Sequence, residues 1–313
     1  MENLVFFGSP GFALPTLEAI HDSPHHLLRV VSQPARPVGR GRRLEDPPVA
    51  RWARDHGIEV EQPARVGDRE FLARLARLEP SVAVVVAFGQ IFPAELLELP
   101  RFGCINLHAS LLPKYRGAAP IQAAVAAGDP STGVTTMVME EGLDSGPVLL
   151  QREAEIGREE TAGELAERLA VLGAELMLET LDLLEIGRLE PQPQDAEQAT
   201  YAPRLRKSDG RIEWSRPAEE LFNRLRALTP WPGLFTGLRR RPVKVAWGRP
   251  IGDPPSGGEA CGTYLGLYEG KLAVRCGGDS AFGIEKLQRP GRRVLNAREF
   301  ANGERLEPGE RFA

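Results

Sequence analysis

Continuous apolar runs that alternate with helical patterns constrain the fold of the first half of this chain. The longest run, Ser81–Ala87 (SVAVVVA), is apolar after its first residue, and shorter runs occur at Leu4–Phe7 and Leu28–Val31. Unbroken apolar runs are typical of parallel strands that are covered on both faces. Further strands are predicted at 105–107 and 133–138, and helices around 47–55, 68–78 and 118–127. This alternation predicts βαβ units and an α/β fold with a doubly wound parallel sheet.

The second half has a different pattern. Thr161 and Glu164 form a capping-box signature, and leucines follow at helical spacing until Gly187. The polar, proline-bearing residues 191–198 have the composition of a linker. Beyond Pro217 one helix is followed by short strand-like runs at 243–246, 262–267, 272–275 and 282–287. Many short strands with turn signals predict a small β-barrel. The predicted boundaries are 1–189 for the first domain, 190–208 for a linker and 209–313 for the second domain.

The distribution of charge is uneven along the chain. Residues 203–250 contain twelve basic and four acidic side chains, a net charge of +8, whereas the whole chain carries −4 and the remainder therefore −12. A basic segment on an acidic protein is the pattern expected for a polyanionic partner. A solvated, salt-bridged surface is the alternative interpretation of the same charges.

Cysteine usage and the start of the chain indicate a cytoplasmic protein. The three cysteines, Cys104, Cys261 and Cys276, are far apart and predict neither a disulfide framework nor a metal-binding pair. The first residues lead directly into a strand, so we expect no secretory leader. No apolar run reaches membrane-spanning length, so no membrane association is expected.

The candidate reactive residues follow the predicted strand at 105–107. Positions two apart on a strand share a face, so Asn106 and His108 are expected to lie side by side, with Leu107 on the opposite face. An amide can donate a hydrogen bond to a developing oxyanion while an imidazole moves a proton. Asp144, in the loop of residues 142–147 (GLDSGP), could pair with His108, although Asp beside Gly is also common in simple turns. The pattern suggests attack on a carbonyl group.

Two further loops are candidates for binding a phosphate-bearing ligand. Residues 8–11 (GSPG) follow the first strand, but they do not form a GxGxxG motif, and Pro10 removes a backbone donor, so a nicotinamide cofactor is not expected. The proline- and glycine-rich residues 32–43 contain four arginines, which suit contact with phosphate. A solvated loop without fixed structure is the alternative.

Several segments together resemble the methionyl-tRNA formyltransferase family. They are residues 106–122 (NLHASLLPKYRGAAPIQ), 142–147 (GLDSGP), 33–44 (QPARPVGRGRRL), 201–207 (YAPRLRK), 212–214 (IEW) and 231–233 (WPG). The Asn-x-His and Ser-Leu-Leu-Pro elements are shared by folate-dependent formyltransferases in general. The arginine-rich loop and the basic second domain are similar to the tRNA-directed members.

The resemblance implies a fold, a reaction and a set of residues. It implies a Rossmann-like first domain, an OB-like β-barrel, 10-formyltetrahydrofolate as formyl donor and initiator methionyl-tRNA as acceptor. The candidate site lacks a clustered set of His, Cys or carboxylate ligands, so no metal ion is expected. By the same resemblance Asn106, His108 and Asp144 are the catalytic residues. The residues implied in folate binding are Phe88, Gly89, Gln90, Ile91, Ser110, Leu111, Leu112 and Pro113. The residues implied in tRNA binding are Arg36, Arg40, Arg42, Arg43, Arg204, Arg206 and Lys207.

Two alternatives stay open at this point. A formyltransferase that acts on a small amine, such as an amino sugar nucleotide, would share the folate site but gain nothing from the arginine-rich loop. A tRNA-binding protein without catalysis would use the barrel, since OB folds commonly bind nucleic acid. We expect a monomer, because two domains that act on a bulky tRNA need no partner subunit.

Overall fold

The computed structural model describes residues 1–39, 41–252 and 257–313, which divide into two units. The first unit comprises residues 1–120, 131–155 and 166–202. The second unit comprises residues 121–130, 156–165 and 203–313. The units are therefore interleaved along the chain rather than consecutive. Within the described residues, no helix is both long and apolar enough to cross a membrane.

A seven-stranded sheet forms the centre of the first unit. The strands of this unit are β1 (Leu4–Gly8), β2 (Leu27–Val31), β3 (Arg36–Val38), β4 (Arg43–Glu45), β5 (Val60–Glu61), β6 (Val82–Val86), β7 (Cys104–His108), β8 (Arg116–Gly117), β9 (Ser131–Val138), β10 (Val148–Glu155) and β11 (Tyr201–Ala202). The order in the main sheet is β10-β9-β7-β6-β1-β2-β5. Neighbours from β7 to β5 pair in parallel, whereas β9 is antiparallel to both β7 and β10. Two small sheets join β3 to β4 and β8 to β11.

The α-helices of both units are numbered here in chain order. They are α1 (Leu14–His21), α2 (Pro48–Asp55), α3 (Arg69–Ala76), α4 (Ala94–Leu97), α5 (Pro120–Ala127), α6 (Ala162–Glu185), α7 (Ala218–Ala227) and α8 (Ala297–Glu304). Short 3-10 turns occupy Gly11–Ala13, Ala196–Gln198 and Lys207–Gly210. The predicted capping box is present at the start of α6, where the backbone N–H of Thr161 donates to Glu164 at 2.9 Å and the N–H of Glu164 donates to the Thr161 hydroxyl at 3.3 Å.

Packing against α6 determines which face of the sheet each side chain of β7 occupies. Every residue of β1 and β6 is buried, as the unbroken apolar runs predict. Helix α6 packs on β7 at a glycine, because a Cβ atom on Gly173 would lie 2.6 Å from Leu107 Cδ2. The close contact fixes Leu107 on the α6 face of the sheet, so its neighbours in β7 project from the other face.

Residues 203–313 of the second unit form an antiparallel sheet with the helices α7 and α8. Its strands are β12 (Leu234–Leu238), β13 (Arg241–Pro250), β14 (Tyr264–Tyr268), β15 (Lys271–Arg275), β16 (Ala281–Gln288) and β17 (Val294–Asn296). They follow the order β12-β13-β16-β15-β14, and β17 pairs with β16. The core contains aromatic residues from the sheet, from both helices and from the chain end, including Phe222, Phe282, Phe300 and Phe312.

The last residues of the chain contact both edges of this sheet. Gly237, in β12, exchanges backbone hydrogen bonds with Ala313, and the N–H of Phe312 donates to the carbonyl of Gly262, just before β14. The α/β first part and the antiparallel second part confirm the predicted fold class. Closure into an OB-like barrel and the domain boundaries at residues 189 and 208 stay predictions.

Candidate active site

Strand β7 carries the two polar residues from which the site is built. Asn106 is opposite Met137 of β9, and His108 is opposite Thr135. Asn106 is half-buried and His108 is 6% exposed. Since Leu107 lies against α6, Asn106 and His108 occupy the opposite face of the sheet together.

The hydrogen bonds of His108 assign a role to each ring nitrogen. Its Nε2 lies 2.9 Å from the carbonyl oxygen of Tyr115, and because a carbonyl only accepts, Nε2 carries a proton and donates it. Its Nδ1 lies 3.7 Å from Asp144 Oδ2. A proton that arrives at Nδ1 would therefore be stabilised by the carboxylate. The structure brings these two sequence-predicted residues within ion-pair distance.

The loop that carries Asp144 is held in a constrained conformation. Asp144 has a φ of +48°, in the left-handed region that non-glycine residues seldom adopt. Its Oδ2 accepts a hydrogen bond of 2.7 Å from the backbone N–H of Gly117. Residue 146 must be a glycine, because a Cβ atom at that position would lie 1.9 Å from the carbonyl oxygen of Val138. The glycine of the GLDSGP loop thus allows a close approach to β9.

A segment after α6 supports the loops around His108 and Asp144. Gln194 Nε2 donates to the carbonyls of Asp144 at 2.9 Å and Gly146 at 2.7 Å. Gln194 Oε1 accepts two bonds, of 3.0 and 2.8 Å, from the buried guanidinium of Arg116. The Thr200 hydroxyl accepts from the N–H of Tyr115 at 2.8 Å. Gln194 and Thr200 lie in residues 190–208, whose polar, proline-bearing composition predicts a linker rather than a support for the site.

The Ser-Leu-Leu-Pro turn is fixed by internal hydrogen bonds. Ser110 is fully buried, and its hydroxyl donates to the carbonyl of Lys114 at 2.6 Å. Thr135 donates to the carbonyl of Ser110 at 2.6 Å and accepts from the N–H of Leu112 at 3.2 Å. Gln151 donates to the carbonyl of Leu112 at 2.9 Å. Leu112 is buried, while Leu111 and Pro113 are half-buried. The side chains of Ser110 and Leu112 thus shape the turn from within.

The second predicted folate segment, residues 88–91, divides between core and surface. Phe88 is buried in edge-to-face contact with Phe7 and Phe92, with centroid distances of 5.4 and 5.8 Å. Gly89, Gln90 and Ile91 line an open cavity of about 690 Å³. The remaining residues that line this cavity are Gln33, Arg36, Ala64, Arg65, Val66, Gly67, Asp68 and Pro93.

Exposed apolar side chains mark two of the loops near the site. Ile91 is 91% exposed, and Leu143, next to Asp144, is 62% exposed. Ile91 is one of the residues that line the cavity, and a large exposed apolar side chain there favours a ligand with an apolar ring. In the described part of the chain, no group of three or more His, Cys, Asp or Glu side chains could hold a metal ion.

The arginine-rich loop forms a hairpin from β3 and β4. Arg36 pairs in register with Glu45, and Val38 pairs with Arg43. Arg36, Arg42 and Arg43 are exposed, and Arg36 donates to Gln33 Oε1 at 3.1 Å. Arg40 lies outside the described residues. The hairpin therefore presents several guanidinium groups to solvent.

The second unit presents a second basic surface. The three predicted tRNA contacts Arg204, Arg206 and Lys207 are exposed, and none forms an ion pair with a described residue. Other cations of the basic segment are neutralised, as Arg216 is by Glu213 and Glu220. Arg241, one of the twelve basic residues of segment 203–250, lines a cavity of about 830 Å³ together with Arg289, Arg292 and Arg293. Residues from two segments that are distant in sequence form this cavity, so no local sequence pattern predicts it.

Family models match both parts of the chain. The model described as "Formyl transferase" matches residues 2–181, and "Formyl transferase, C-terminal domain" matches residues 204–305. A methionyl-tRNA formyltransferase from Anaeromyxobacter dehalogenans strain 2CP-1 is 49% identical over 300 residues, 96% of either chain. The methionyl-tRNA formyltransferase of Geobacter metallireducens is 45% identical over 313 residues, 99% of this chain and 98% of that protein.

Solved structures share the fold at much lower identity. The N-formyltransferase from Helicobacter canadensis, in complex with folinic acid and dTDP-3-aminofucose, matches 91% of this chain and 99% of its own with a TM-score of 0.66 and 16% identity. WlaRD, a sugar 3N-formyl transferase crystallised in the presence of dTDP and 5-N-formyl-THF, matches 94% of this chain and 99% of its own with a TM-score of 0.67 and 15% identity. At these identities the likeness shows a common fold.

Proposed function

The chain belongs to the formyl transferase family, and we propose that it transfers the formyl group of 10-formyltetrahydrofolate to the α-amino group of methionine on initiator tRNA. The observation that carries the chemistry is the His108–Asp144 pair beside Asn106 on one face of β7. The acceptor is inferred from relatives that align with nearly the whole chain and bear the name methionyl-tRNA formyltransferase.

Asn106 is suited to stabilise the formyl oxygen. As the amine attacks, negative charge develops on that oxygen, and the Asn106 amide can donate a hydrogen bond to it. A single fixed donor of this kind lowers a barrier by about 3 kcal/mol. The half-buried position of Asn106 on a central strand keeps the donor in place, so little reorganisation is needed during reaction.

His108 is suited to carry the proton that the amine loses. Its Nε2–H is engaged with the Tyr115 carbonyl, which leaves Nδ1 to accept the proton. The imidazolium that results is stabilised by Asp144 at 3.7 Å. Nδ1 then returns the proton to the nitrogen that leaves the formyl carbon, so that one C–N bond forms as another breaks and no net charge is left on the enzyme.

The residues present fit a folate donor. When bound, 10-formyltetrahydrofolate supplies an activated formyl carbon on N10, the nitrogen that links its pteridine to the aminobenzoyl ring. The exposed side chain of Ile91 offers apolar contact for its rings, and the cavity that Ile91 lines with Gly89 and Gln90 offers room for them. The side chain of Gln90 accepts from the N–H of Val66 at 2.9 Å, which fixes this loop.

Two basic surfaces support tRNA as the partner. Arg36, Arg42 and Arg43 of the hairpin are exposed, and so are Arg204, Arg206 and Lys207. Arginine and lysine contacts to phosphate supply affinity that weakens steeply with salt. We assign formyl transfer to the first unit and tRNA binding mainly to the second. We further propose that the protein is cytoplasmic, since translation initiates in that compartment. We also propose that it acts as a monomer, because two domains can bind a tRNA without a partner subunit.

Formyl transfer to competing acceptors tests the proposal. Initial rates are measured with 10-formyltetrahydrofolate and each of three acceptors, namely charged initiator tRNA, charged elongator methionine tRNA and an amino sugar nucleotide. We expect transfer to initiator tRNA to be the fastest. Asn106→Ala should lower the rate by roughly 100- to 1,000-fold. Asn302→Ala, a change at an exposed position in α8, should leave the rate unchanged. Fast transfer to the sugar nucleotide alone would contradict the proposal.

A further inference from the structure

We propose that Gln194 is a positioning residue that holds Asp144 in place for His108, with Arg116 fixing the orientation of the Gln194 amide. The inference rests on the proposed function and adds to it a residue outside the catalytic trio. Gln194 lies in the polar segment that follows α6, far in sequence from both residues it would serve.

The side-chain amide of Gln194 has no unused hydrogen-bonding capacity. Its NH₂ group donates to the carbonyls of Asp144 and Gly146, at 2.9 and 2.7 Å. Its oxygen accepts two N–H groups from Arg116, at 3.0 and 2.8 Å. An amide offers two donors and one oxygen with two lone pairs, so all four positions are satisfied.

Arg116 determines which way the Gln194 amide faces. Its side chain is 6% exposed, and bonds from a guanidinium are about twice as strong as those between neutral groups. Reversal of the amide would place NH₂ against the guanidinium and oxygen against the two carbonyls. All four contacts would then be repulsive, so the donors of Gln194 stay directed at the Asp144 loop.

The Asp144 loop needs this support because its backbone is strained. A non-glycine residue in the left-handed region costs on the order of 1 kcal/mol, and Asp144 has a φ of +48°. Gln194 bonds the carbonyls on either side of Ser145, and Gly117 N–H bonds the Asp144 carboxylate. Gly117 is itself fixed by the pairing of β8 with β11. Both restraints on Asp144 thus depend on residues 194–202.

The position of the carboxylate matters for the rate. A displacement of about 1 Å in a reacting or supporting group can cost about 100-fold. We therefore expect Gln194→Ala to lower kcat by roughly 10- to 100-fold, with KM for both substrates within about twofold. Gln194→Glu keeps the acceptor for Arg116 but places a carboxylate oxygen, in place of the NH₂ group, against both carbonyls, so its kcat should also fall.

The matched control is Gln192→Ala, two residues earlier in the same segment. Among the described residues, the Gln192 side chain donates only to the carbonyl of Glu190, while its backbone pairs with Val148. This variant loses a glutamine side chain without touching the Asp144 loop. We expect Gln192→Ala to have a wild-type kcat. The thermal midpoints of the two alanine variants are compared, so that each kcat can be corrected for any loss of folded protein.

A double-mutant cycle separates positioning from a structural role. If Gln194 acts through Asp144, its removal from an Asp144→Asn enzyme should cost less than about threefold, because the charge that it positions is already gone. A structural role would instead give the same loss in both backgrounds. Equal losses, or a wild-type kcat in Gln194→Ala, would overturn the inference.

Crystal structures of Gln194→Ala and Gln192→Ala provide a readout that does not need activity. In Gln194→Ala the Asp144 carboxylate should move away from His108 Nδ1 by about 1 Å or more, or occupy several positions. In Gln192→Ala it should remain at 3.7 Å. An unmoved carboxylate in Gln194→Ala would refute the inference, even if the wild-type protein proved to formylate a different amine. Absence of formyl transfer by the wild type would refute only the proposed function.

Discussion

Removal of the Asp144 charge should slow formyl transfer without altering the loop. In Asp144→Asn the amide oxygen can still accept the hydrogen bond from the Gly117 N–H, which is 2.7 Å from the carboxylate in the wild type. The change therefore isolates the charge that faces His108 Nδ1 at 3.7 Å. If His108 becomes positive during reaction, this attraction is lost in the transition state.

The separation of the two groups sets the size of the effect. Two unit charges about 4 Å apart attract by about 4 kcal/mol at an effective dielectric constant near 20, and by about 1 kcal/mol in bulk water. Asp144 is 20% exposed and His108 6%, so the environment lies between these limits. A barrier raised by about 1–4 kcal/mol slows the reaction roughly 5- to 1,000-fold.

Single-turnover transfer from 10-formyltetrahydrofolate to methionyl-tRNA, with enzyme in excess, measures this barrier without product release. The matched control is Asp22→Asn, an exposed position in the turn between α1 and β2 that carries the same loss of charge. Asp22→Asn should unfold within about 2 °C of the wild type, since surface changes of this kind alter stability by about 0.5 kcal/mol or less. Thermal unfolding of Asp144→Asn is measured beside it, so that rates are compared for folded protein. A transfer rate for Asp144→Asn within twofold of the control would refute the proposed use of the charge.

Three other predictions concern binding and stability. Arg206→Ala should reduce the slope of log K against log salt for tRNA binding by about one, measured by titration at several KCl concentrations, because one phosphate contact is lost; an unchanged slope would remove Arg206 from the interface. Burial raises the pKa of two thiols, Cys104 and Cys276, to about 12, so a thiol reagent at pH 8 should modify only Cys261 until denaturant is added. The hydrogen bond from Arg289 lowers the pKa of Glu304 from 4.5, so this group stabilises the fold above pH 4.5 and loses that contribution as pH falls through its lower folded pKa. Denaturation curves between pH 3 and 6 should show a shallower acid loss for Glu304→Gln than for the wild type.

Sequence patterns predicted the elements that are buried on both faces. The run at 81–87 became β6, because complete burial selects unbroken apolar residues. Strand β10 was missed, since its sequence (VLLQREAE) carries charges on an exposed edge of the sheet. The two-residue strands β8 and β11 have no sequence signal at all. Local pattern thus predicts core strands well and edge strands poorly.

The site was predictable only in part for a related reason. The spacing of Asn106 and His108 on a strand follows from the period of two, so their shared face could be expected. The groups that hold them are mostly backbone atoms, such as the Tyr115 carbonyl and the Gly117 N–H, which every sequence contains. Gln194 was hidden for another reason, because a polar segment with prolines has the same composition whether or not it is bonded to the fold.

The segment of residues 194–202 has a consequence for the order in which the molecule is completed during synthesis. Strand β7 and the Asp144 loop leave the ribosome well before Gln194 and Thr200, and both need the later residues for the bonds described above. Contacts between residues this far apart in sequence form late in folding. A nascent chain that has reached residue 189 would contain all three reactive side chains but none of this support. Catalytic competence should therefore appear only after Ala202 has been translated, as synthesis of residues 203–313, the longest segment of the second unit, begins.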